Sequence, residues 1–504
     1  MSLANQRRFP ELSRSSKRSG MLYALIGMLA LALLPLAAPI GGTFFCVATA
    51  TLAFSLFSYV LLQSTALPLY TLNIVVISQI VQTACLFSFA VLGVPPIVAS
   101  NESVQDISQV SAEAIFPYLI PCGAALVVSL LARLLRANPK WYERDFWRQD
   151  PIGSQYICIA GVVLLFALPL TAILPATIAY FFRIADYSTM FLAYYAGRIA
   201  VRTPKVRILW IVMLGINGAI FSLTGGRFVA FFPPLLFLLG YLSSAPVHQK
   251  RVIRLMLFVM FPAGLFVIGI LGVVRREVGR DDWSLVSSEQ ASRIISTSTA
   301  IIAEHPQEAK DDIFLNSIGR IIAWTNPVVC SSTPTIIPYR GYSGLGNEIR
   351  AYTHLYFFGN DFGKFESADL GTYPARAYGF SVSDETSVEF GILADGWSRG
   401  GLTGALLFSL IFCALAAGLE LIVLRLGYFT AAGRMLLLVV CMSNAYQYNI
   451  FPLVHVVRFF ILSLAFWIVL LIVFTPYLIV LGGKATGRTA KLPIRVDRPN
   501  SRRT

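Results

Sequence analysis

Long apolar runs recur along this sequence and leave little choice of fold. Twelve of them, most about 20 residues long, alternate with shorter polar segments. A run of about 20 apolar residues can cross the hydrocarbon core of a bilayer as a helix. Inside a bilayer the backbone N–H and C=O groups must bond within the protein, and a helix satisfies them within one segment. The sequence therefore predicts an all-α polytopic membrane protein with about 12 transmembrane helices.

Composition agrees with this class. Hydrophobic residues make up 56% of the 504 residues and charged residues only 13%, which is too apolar for a soluble protein of this length. The net charge of +14 is also compatible with nucleic-acid binding, but the Lys and Arg residues fall in short clusters between the apolar runs. We therefore predict basic anchoring loops at a membrane and no nucleic-acid partner.

The apolar runs give the expected positions of the spans. Nine precede residue 275, near 21–39, 42–62, 69–93, 115–136, 154–174, 177–199, 207–223, 227–245 and 255–274, and three follow, near 389–424, 435–451 and 457–480. The 389–424 stretch is too long for one straight span. We expect it to begin as a short or interfacial helix and to cross the membrane from about Gly400.

Charge sets the predicted orientation. The insert from Arg275 to Glu389 holds 15 of the 26 Asp and Glu but 10 of the 40 Lys and Arg, so it is net −5 and the rest is net +19. Basic loops stay cytoplasmic, which places both termini inside and the insert outside. The predicted division is a basic cytoplasmic N-terminus 1–20, helices 21–274, a large external loop 275–389, helices 390–480 and a basic cytoplasmic tail 481–504.

Arginines at the predicted outer ends of helices are the first candidate site residues. They come from four different segments: Arg183, Arg227, Arg399 and Arg458. The planar guanidinium suits phosphate oxygens, so this group is a candidate for binding a lipid diphosphate. The structural alternatives are that Arg183 and Asp186 neutralise each other at i, i+3, and that Arg227 and Arg458 extend to lipid headgroups.

The insert supplies a second set of candidates. Arg340, Arg350 and Arg376 lie in loops rich in glycine and tyrosine, a composition that suits carbohydrate but is also ordinary where loops pack on a membrane. A proton acceptor for a sugar hydroxyl must be a basic side chain within reach. His354 in the insert and Glu389 at its end both fit, and the sequence leaves the choice open.

Other chemistries have no support in the sequence. It has no phosphate-binding glycine loop, no zinc-ligand spacing and no nucleophile elbow in a credible context. Six of the seven cysteines lie within or beside apolar runs, which does not indicate a disulfide framework. We predict neither a metal nor a cofactor.

Three features together resemble the O-antigen polymerase family of oligosaccharide repeat-unit polymerases, and more distantly the O-antigen ligases. The first is Leu223 to Arg227 (LTGGR) between two apolar runs. The second is a large outward loop before the last three spans. The third is the acidic, small-residue entry from Glu389 into a glycine-rich helix through Gly400 to Gly404.

The resemblance implies a metal-independent membrane glycosyltransferase of the helical class C type in a bacterial inner membrane. Its substrates would be oligosaccharides linked to undecaprenyl diphosphate, one chain being transferred onto another. Arg227 and the other outward arginines would hold the diphosphate, while the loop would bind acceptor sugar and supply or position the base. Membrane lipids, a flippase and a chain-length regulator are the implied partners.

Two rival functions remain open at this point. A ligase would share the lipid donor and differ in its acceptor. A transporter or flippase of lipid-linked sugar should carry charged or broken helices near the midplane, whereas the four helix arginines of the predicted site gather at the outer helix ends. The decisive property is therefore whether the predicted arginines meet near one level.

Overall fold

The structure is a computed structural model. It describes residues 43–63, 69–92, 116–134, 157–167, 189, 192–223, 227–246, 249, 251–253, 255–256, 296, 300, 329–330, 333–334, 337–350 and 391–426. The predicted spans at 21–39, 255–274, 435–451 and 457–480 lie wholly or almost wholly outside these residues.

The described residues are mainly helical and contain no strand. The longer helices are α1 (Thr43–Gln63), α2 (Tyr70–Leu92), α3 (Leu119–Leu134, entered through a 3-10 turn at Phe116–Tyr118), α4 (Pro204–Leu223), α5 (Arg227–Ser244) and α6 (Ile392–Leu426). Six predicted apolar segments are thereby confirmed as helices, with ends a few residues from those expected. Shorter described helical pieces, 157–167 and 192–200, fall in two further predicted segments.

Helices α1, α2, α3 and α6 pack into one group, here called the four-helix group. Its apolar core is built from branched and aromatic side chains of all four helices, among them Leu62, Leu72, Val128, Phe408 and Phe412. Each of these side chains is at most 7% exposed. Close van der Waals packing between the helices holds the group together.

The direction of α2 relative to α6 is fixed by a buried carboxylate. Glu420 accepts hydrogen bonds from the backbone N–H groups of Tyr70 and Thr71, each 2.9 Å long, and from the Thr71 hydroxyl at 2.8 Å. These N–H groups belong to the first turn of α2, where no intrahelical acceptor exists. The start of α2 therefore lies beside the final third of α6, and the two helices run antiparallel.

A second set of contacts joins α4, α5 and two shorter helical pieces. A Cβ built on Gly197 would overlap the carbonyl oxygen of Phe237, and one built on Gly240 would overlap that of Tyr194. The absence of side chains here lets the backbones of 192–200 and α5 touch. Trp210 of α4 is fully buried and donates to the Ile157 carbonyl at 3.1 Å.

One helix in the described part of the chain, Ile392–Ile422, is long and apolar enough to cross a membrane. Four apolar helices are shorter, Val47–Gln63, Phe116–Ala132, Ile157–Ala167 and Pro233–Leu242. The helical fold class is thus observed, while the count of about 12 spans stays a prediction.

Candidate functional site

The candidate site lies at a break in α6. Gly400 (φ −154°, ψ 27°) and Gly401 (φ 58°, ψ −136°) leave the helical conformation and divide α6 into a short first arm, 392–399, and a long second arm, 402–426. A positive φ is readily adopted only by glycine, so Gly401 permits the break. The expectation that this stretch is not one straight helix, and that it changes near Gly400, is confirmed.

The first arm folds back on the second. A Cβ built on Gly404 would overlap the carbonyl oxygen of Gly396, and one built on Gly396 would lie 2.8 Å from Cα of Ala405. In a straight helix these residues would be about 12 Å apart along the axis. The two glycines therefore form the contact between the arms.

The break also exposes backbone acceptors that a loop occupies. The last carbonyls of any helix have no intrahelical donor. Here the Ser398 carbonyl accepts from the Arg340 N–H at 2.8 Å, and the Arg399 carbonyl accepts from the Gly341 N–H at 3.2 Å. Loop 337–350 is thus attached to the break by its backbone and ends in a short helical turn, 345–350.

Four charged side chains form a closed ring where loop 337–350 meets the first arm, here called the ionic ring. Arg399 contacts Asp395 at 3.2 Å and Glu348 at 2.5 Å. Arg340 contacts the same two carboxylates, at 3.4 Å to Asp395 and 3.3 Å to Glu348. Positive and negative groups alternate around the ring, so its formal charge is zero.

The members of the ionic ring differ in accessibility. The Arg399 and Asp395 side chains are each 1% exposed, whereas Arg340 is 20% and Glu348 is 23% exposed. Arg399 is further enclosed by the Phe408 ring, whose centroid lies 5.7 Å from the guanidinium carbon. A bound molecule can therefore reach Arg340 and Glu348, while Arg399 and Asp395 hold them in place from beneath.

The two carboxylate oxygens of Asp395 differ in their hydrogen-bond partners. Asp395 Oδ1 accepts from both arginines, but Oδ2 is buried and has no hydrogen-bond partner among the described residues. An uncompensated buried carboxylate oxygen is costly. This atom is therefore a position where a donor group of a ligand or a solvent molecule would be stabilised.

Two of the predicted arginines meet in this ring, Arg340 from the insert and Arg399 from the helix. Arg350 lies on the exposed turn 345–350 of the same loop. Arg227 is the first residue of α5, and its side chain lies outside the described residues. So do the other predicted site residues, Arg183, Arg376, Arg458, His354 and Glu389.

The sequence reasoning missed the two carboxylates of the ring. Asp395 had a visible signal, since it precedes Arg399 by four residues, a spacing that places the two on one helix face. Glu389, at the end of the insert, was the predicted acidic residue instead. Glu348 had no comparable signal, because Arg399 is 51 residues away and Arg340 is eight residues away in a loop, where no regular spacing places the two side chains together.

Trp397, in the first arm of α6, donates its indole N–H to the Thr333 carbonyl at 3.2 Å. Nearby in sequence, burial raises the pKa of the Cys330 thiol, so this thiol is protonated at neutral pH and is not a ready nucleophile. Among the described residues, no group of three or more His, Cys, Asp or Glu is placed to hold a metal ion.

Comparison of the chain with models of protein families, with curated proteins and with solved structures found no match.

Proposed function

We propose that this protein is a multi-pass membrane glycosyltransferase that joins oligosaccharide repeat units carried on undecaprenyl diphosphate. The reaction would take place at the outer face of a bacterial inner membrane and yield a surface or exported polysaccharide. The observation that carries the proposal is the docking of loop 337–350 on the break in α6. It brings an arginine of the insert and an arginine of the apolar helix together beside a partly exposed carboxylate.

The ionic ring suggests separate roles for its two arginines. Arg340 is the accessible guanidinium, so we assign it the contact with the diphosphate, whose oxygens match its planar fork. Arg399 is buried and bonded to both carboxylates, so its proposed role is to position Arg340 and Glu348 rather than to touch substrate. This assignment moves Arg399 from the group of direct ligands to the support beneath them.

The proposed reaction is a displacement at the anomeric carbon of the donor. A hydroxyl oxygen of the acceptor sugar forms the new glycosidic bond while the bond between the anomeric carbon and the diphosphate oxygen breaks. The hydroxyl proton passes to a base, for which Glu389 and His354 remain the candidates. Undecaprenyl diphosphate leaves with the bonding electron pair, and arginine stabilises the charge that develops on it.

Chain length of the cellular glycan tests this proposal. Arg340→Ala, compared at equal membrane protein level with the wild type, should replace long chains with single repeat units. Arg251→Ala is the matched control, because Arg251 is an exposed arginine between the predicted spans 227–245 and 255–274, a connection that the predicted orientation places on the cytoplasmic side. Arg227→Ala should act like Arg340→Ala if both bind the diphosphate.

The other outcomes separate the alternatives. Long chains that stay on the lipid carrier would indicate a ligase, and repeat units trapped on the cytoplasmic leaflet would indicate a flippase. Unchanged polymer in both the Arg340→Ala and the Arg227→Ala cells would contradict the assigned roles of these arginines.

A further inference from the structure

The interior of the four-helix group contains a set of buried polar side chains on the side nearest the ionic ring. Besides Asn73 near the start of α2 and Asp395 of the ionic ring, five buried side chains of these helices have atoms with no hydrogen-bond partner among the described residues. These five belong to three helices: Thr51 of α1, Gln79, Gln82 and Thr83 of α2, and Ser409 of α6. Each side chain is at most 4% exposed. We call these five residues the polar layer.

The five side chains of the polar layer lie on the core faces of their helices. On α1, Thr51 shares a face with Ser55, Ser58 and Leu62 by spacings of four, seven and eleven residues, and Leu62 belongs to the apolar core. On α2, Gln79 and Thr83 follow the core residues Leu72 and Val76 by seven residues, as Gln82 follows Val75. The face of α2 that carries Leu72, Val75 and Val76 near the start of the helix therefore carries Gln79, Gln82 and Thr83 farther along.

The helices also bring these residues to one level. Helices α1 and α2 run antiparallel about a short connection, so Thr51, twelve residues before Gln63, is level with Gln82, twelve residues after Tyr70. On α6, Ala416 packs against Ile74 of α2. Ser409, seven residues earlier on antiparallel α6, is then level with the residue seven after Ile74, next to Gln82.

The polar layer extends toward the ionic ring. Gly396 touches Gly404 and Ala405, so Asp395 lies about one helical turn from Ser409. The unpartnered Oδ2 of Asp395 is thus a further acceptor at the side of the layer nearest the ionic ring. On the opposite side of the layer lie the apolar core residues Leu72, Val76 and Phe412.

The hydrogen-bond donors and acceptors of the polar layer indicate which kind of ligand would fit it. Glutamine and carboxylate oxygens accept, the Gln82 amide nitrogen donates, and hydroxyls do both. A carboxylate at the edge and the absence of a basic side chain from the five members of the layer disfavour an anion such as phosphate. Groups that both donate and accept without charge fit this set, and hydroxyl groups are the simplest of them.

We propose that the polar layer is a binding site for neutral hydroxyl groups, supplied either by ordered water or by a sugar. Buried polar atoms left without partners are strongly disfavoured in a helical membrane interior. An occupant with several hydroxyls satisfies them together and reaches Asp395 Oδ2 as a donor. The proposal depends on the packing of the four helices and not on the transferase function.

Substitutions that remove hydroxyl groups distinguish a polar layer that binds an occupant from one that is empty. In the purified full-length protein, Ser409→Ala should lower the melting temperature, because its hydroxyl is one of the partners of the occupant. The matched control is Ser58→Ala, whose hydroxyl is already bonded to the Phe54 carbonyl of its own helix at 2.9 Å. The double variant Thr51→Val/Thr83→Val, which keeps side-chain shape, should lower the melting temperature further, by about 2–4 °C or more.

A melting temperature that stays the same or rises in these variants would contradict the proposed binding site. If the layer is dry, removing unpartnered hydroxyls relieves a desolvation cost, and Ser409→Ala and the double variant melt at or above the wild-type temperature. If a variant fails to accumulate, wild-type density from cryo-electron microscopy decides, since an occupant must appear between Gln82 and Ser409 and its absence there would reject the proposal.

A sugar titration separates the two sources of hydroxyls. Glucose, galactose and N-acetylglucosamine are added to the wild type and to the double variant. Protection of the wild type that is lost in the variant indicates a sugar site. Lowered melting of the variant without sugar protection indicates ordered water. Because the measurement is melting temperature and not glycan length, failure of this proposal and failure of the proposed function are distinguishable.

Discussion

The two ends of α6 each bury one carboxylate, and they use it differently. Glu420, near the carboxyl-terminal end, accepts two backbone N–H groups and one hydroxyl at the start of α2. Asp395, in the first arm, accepts from two arginines through one oxygen and leaves the other without a partner among the described residues. One carboxylate completes a helix terminus, and the other belongs to a charged ring that a loop brings together.

The difference separates a structural carboxylate from a candidate functional one. Glu420 accepts from backbone groups and one side chain at the start of a neighbouring helix, where the N–H groups have no intrahelical acceptor. The ionic ring instead depends on loop 337–350, and two of its members are one-fifth or more exposed. A buried carboxylate in a membrane helix therefore needs its partners identified before a role is assigned.

The largest expected effect on stability is at the ionic ring. Arg399→Ala removes the buried guanidinium that bonds both carboxylates and leaves Asp395 buried with Arg340 alone, which should destabilise the protein by about 3–5 kcal/mol. Thermal melting of the purified protein measures this loss. The double variant Asp395→Ala/Arg399→Ala should lose much less than the sum of the single losses, and additive losses would show that the two residues are not coupled.

A second effect distinguishes the bent end of α6 from its straight end. Gly404→Ala places a methyl group against the Gly396 backbone and should cost about 1–3 kcal/mol or more by forcing the arms apart. Gly418→Ala is the matched control, since nothing lies within 4 Å of the added Cβ, and it should be neutral or stabilising by up to about 1 kcal/mol. Equal melting temperatures for the two variants would contradict the folded-back first arm.

A smaller effect is expected at the other end. Glu420→Gln keeps side-chain shape but replaces one acceptor oxygen with a donor, so an N–H at the start of α2 loses its partner at a cost of about 1–3 kcal/mol. Thr71→Val, which removes only the hydroxyl bond, should cost less. At equal protein level, Glu420→Gln should leave glycan chain length unchanged, and shortened chains would end the distinction drawn between the two carboxylates.

The helices could be predicted from sequence because the rule that forms them is local. A long apolar run must bond its own backbone, so α1, α2 and α5 begin and end within a few residues of their predicted limits. The break in α6 was also readable, from the length of the stretch and from Gly400 and Gly401 within it.

Only two of the four members of the ionic ring, the two arginines, were predicted as site residues. Arg399 was a candidate for binding phosphate at the outer end of a helix, and Arg340 was a candidate in a loop whose composition suits carbohydrate. Their neutralisation by Glu348 and Asp395 could not be predicted, since it requires loop 337–350 to dock on carbonyl groups that the break leaves open. This docking depends on where the folded chain places loop 337–350, and residue spacing in the sequence does not indicate that position.

By itself the sequence determined the helical class, the limits of the helices it builds and the residue types available for chemistry, because hydrophobicity and backbone hydrogen bonding act over a few turns. Only the tertiary structure decided that Arg399 is buried and Arg340 partly exposed, and that Thr51, Gln82 and Ser409 lie near one level inside the four-helix group. These properties arise where segments distant in sequence pack together, and burial there sets whether a charge or a hydroxyl is neutralised, enclosed or left to bind.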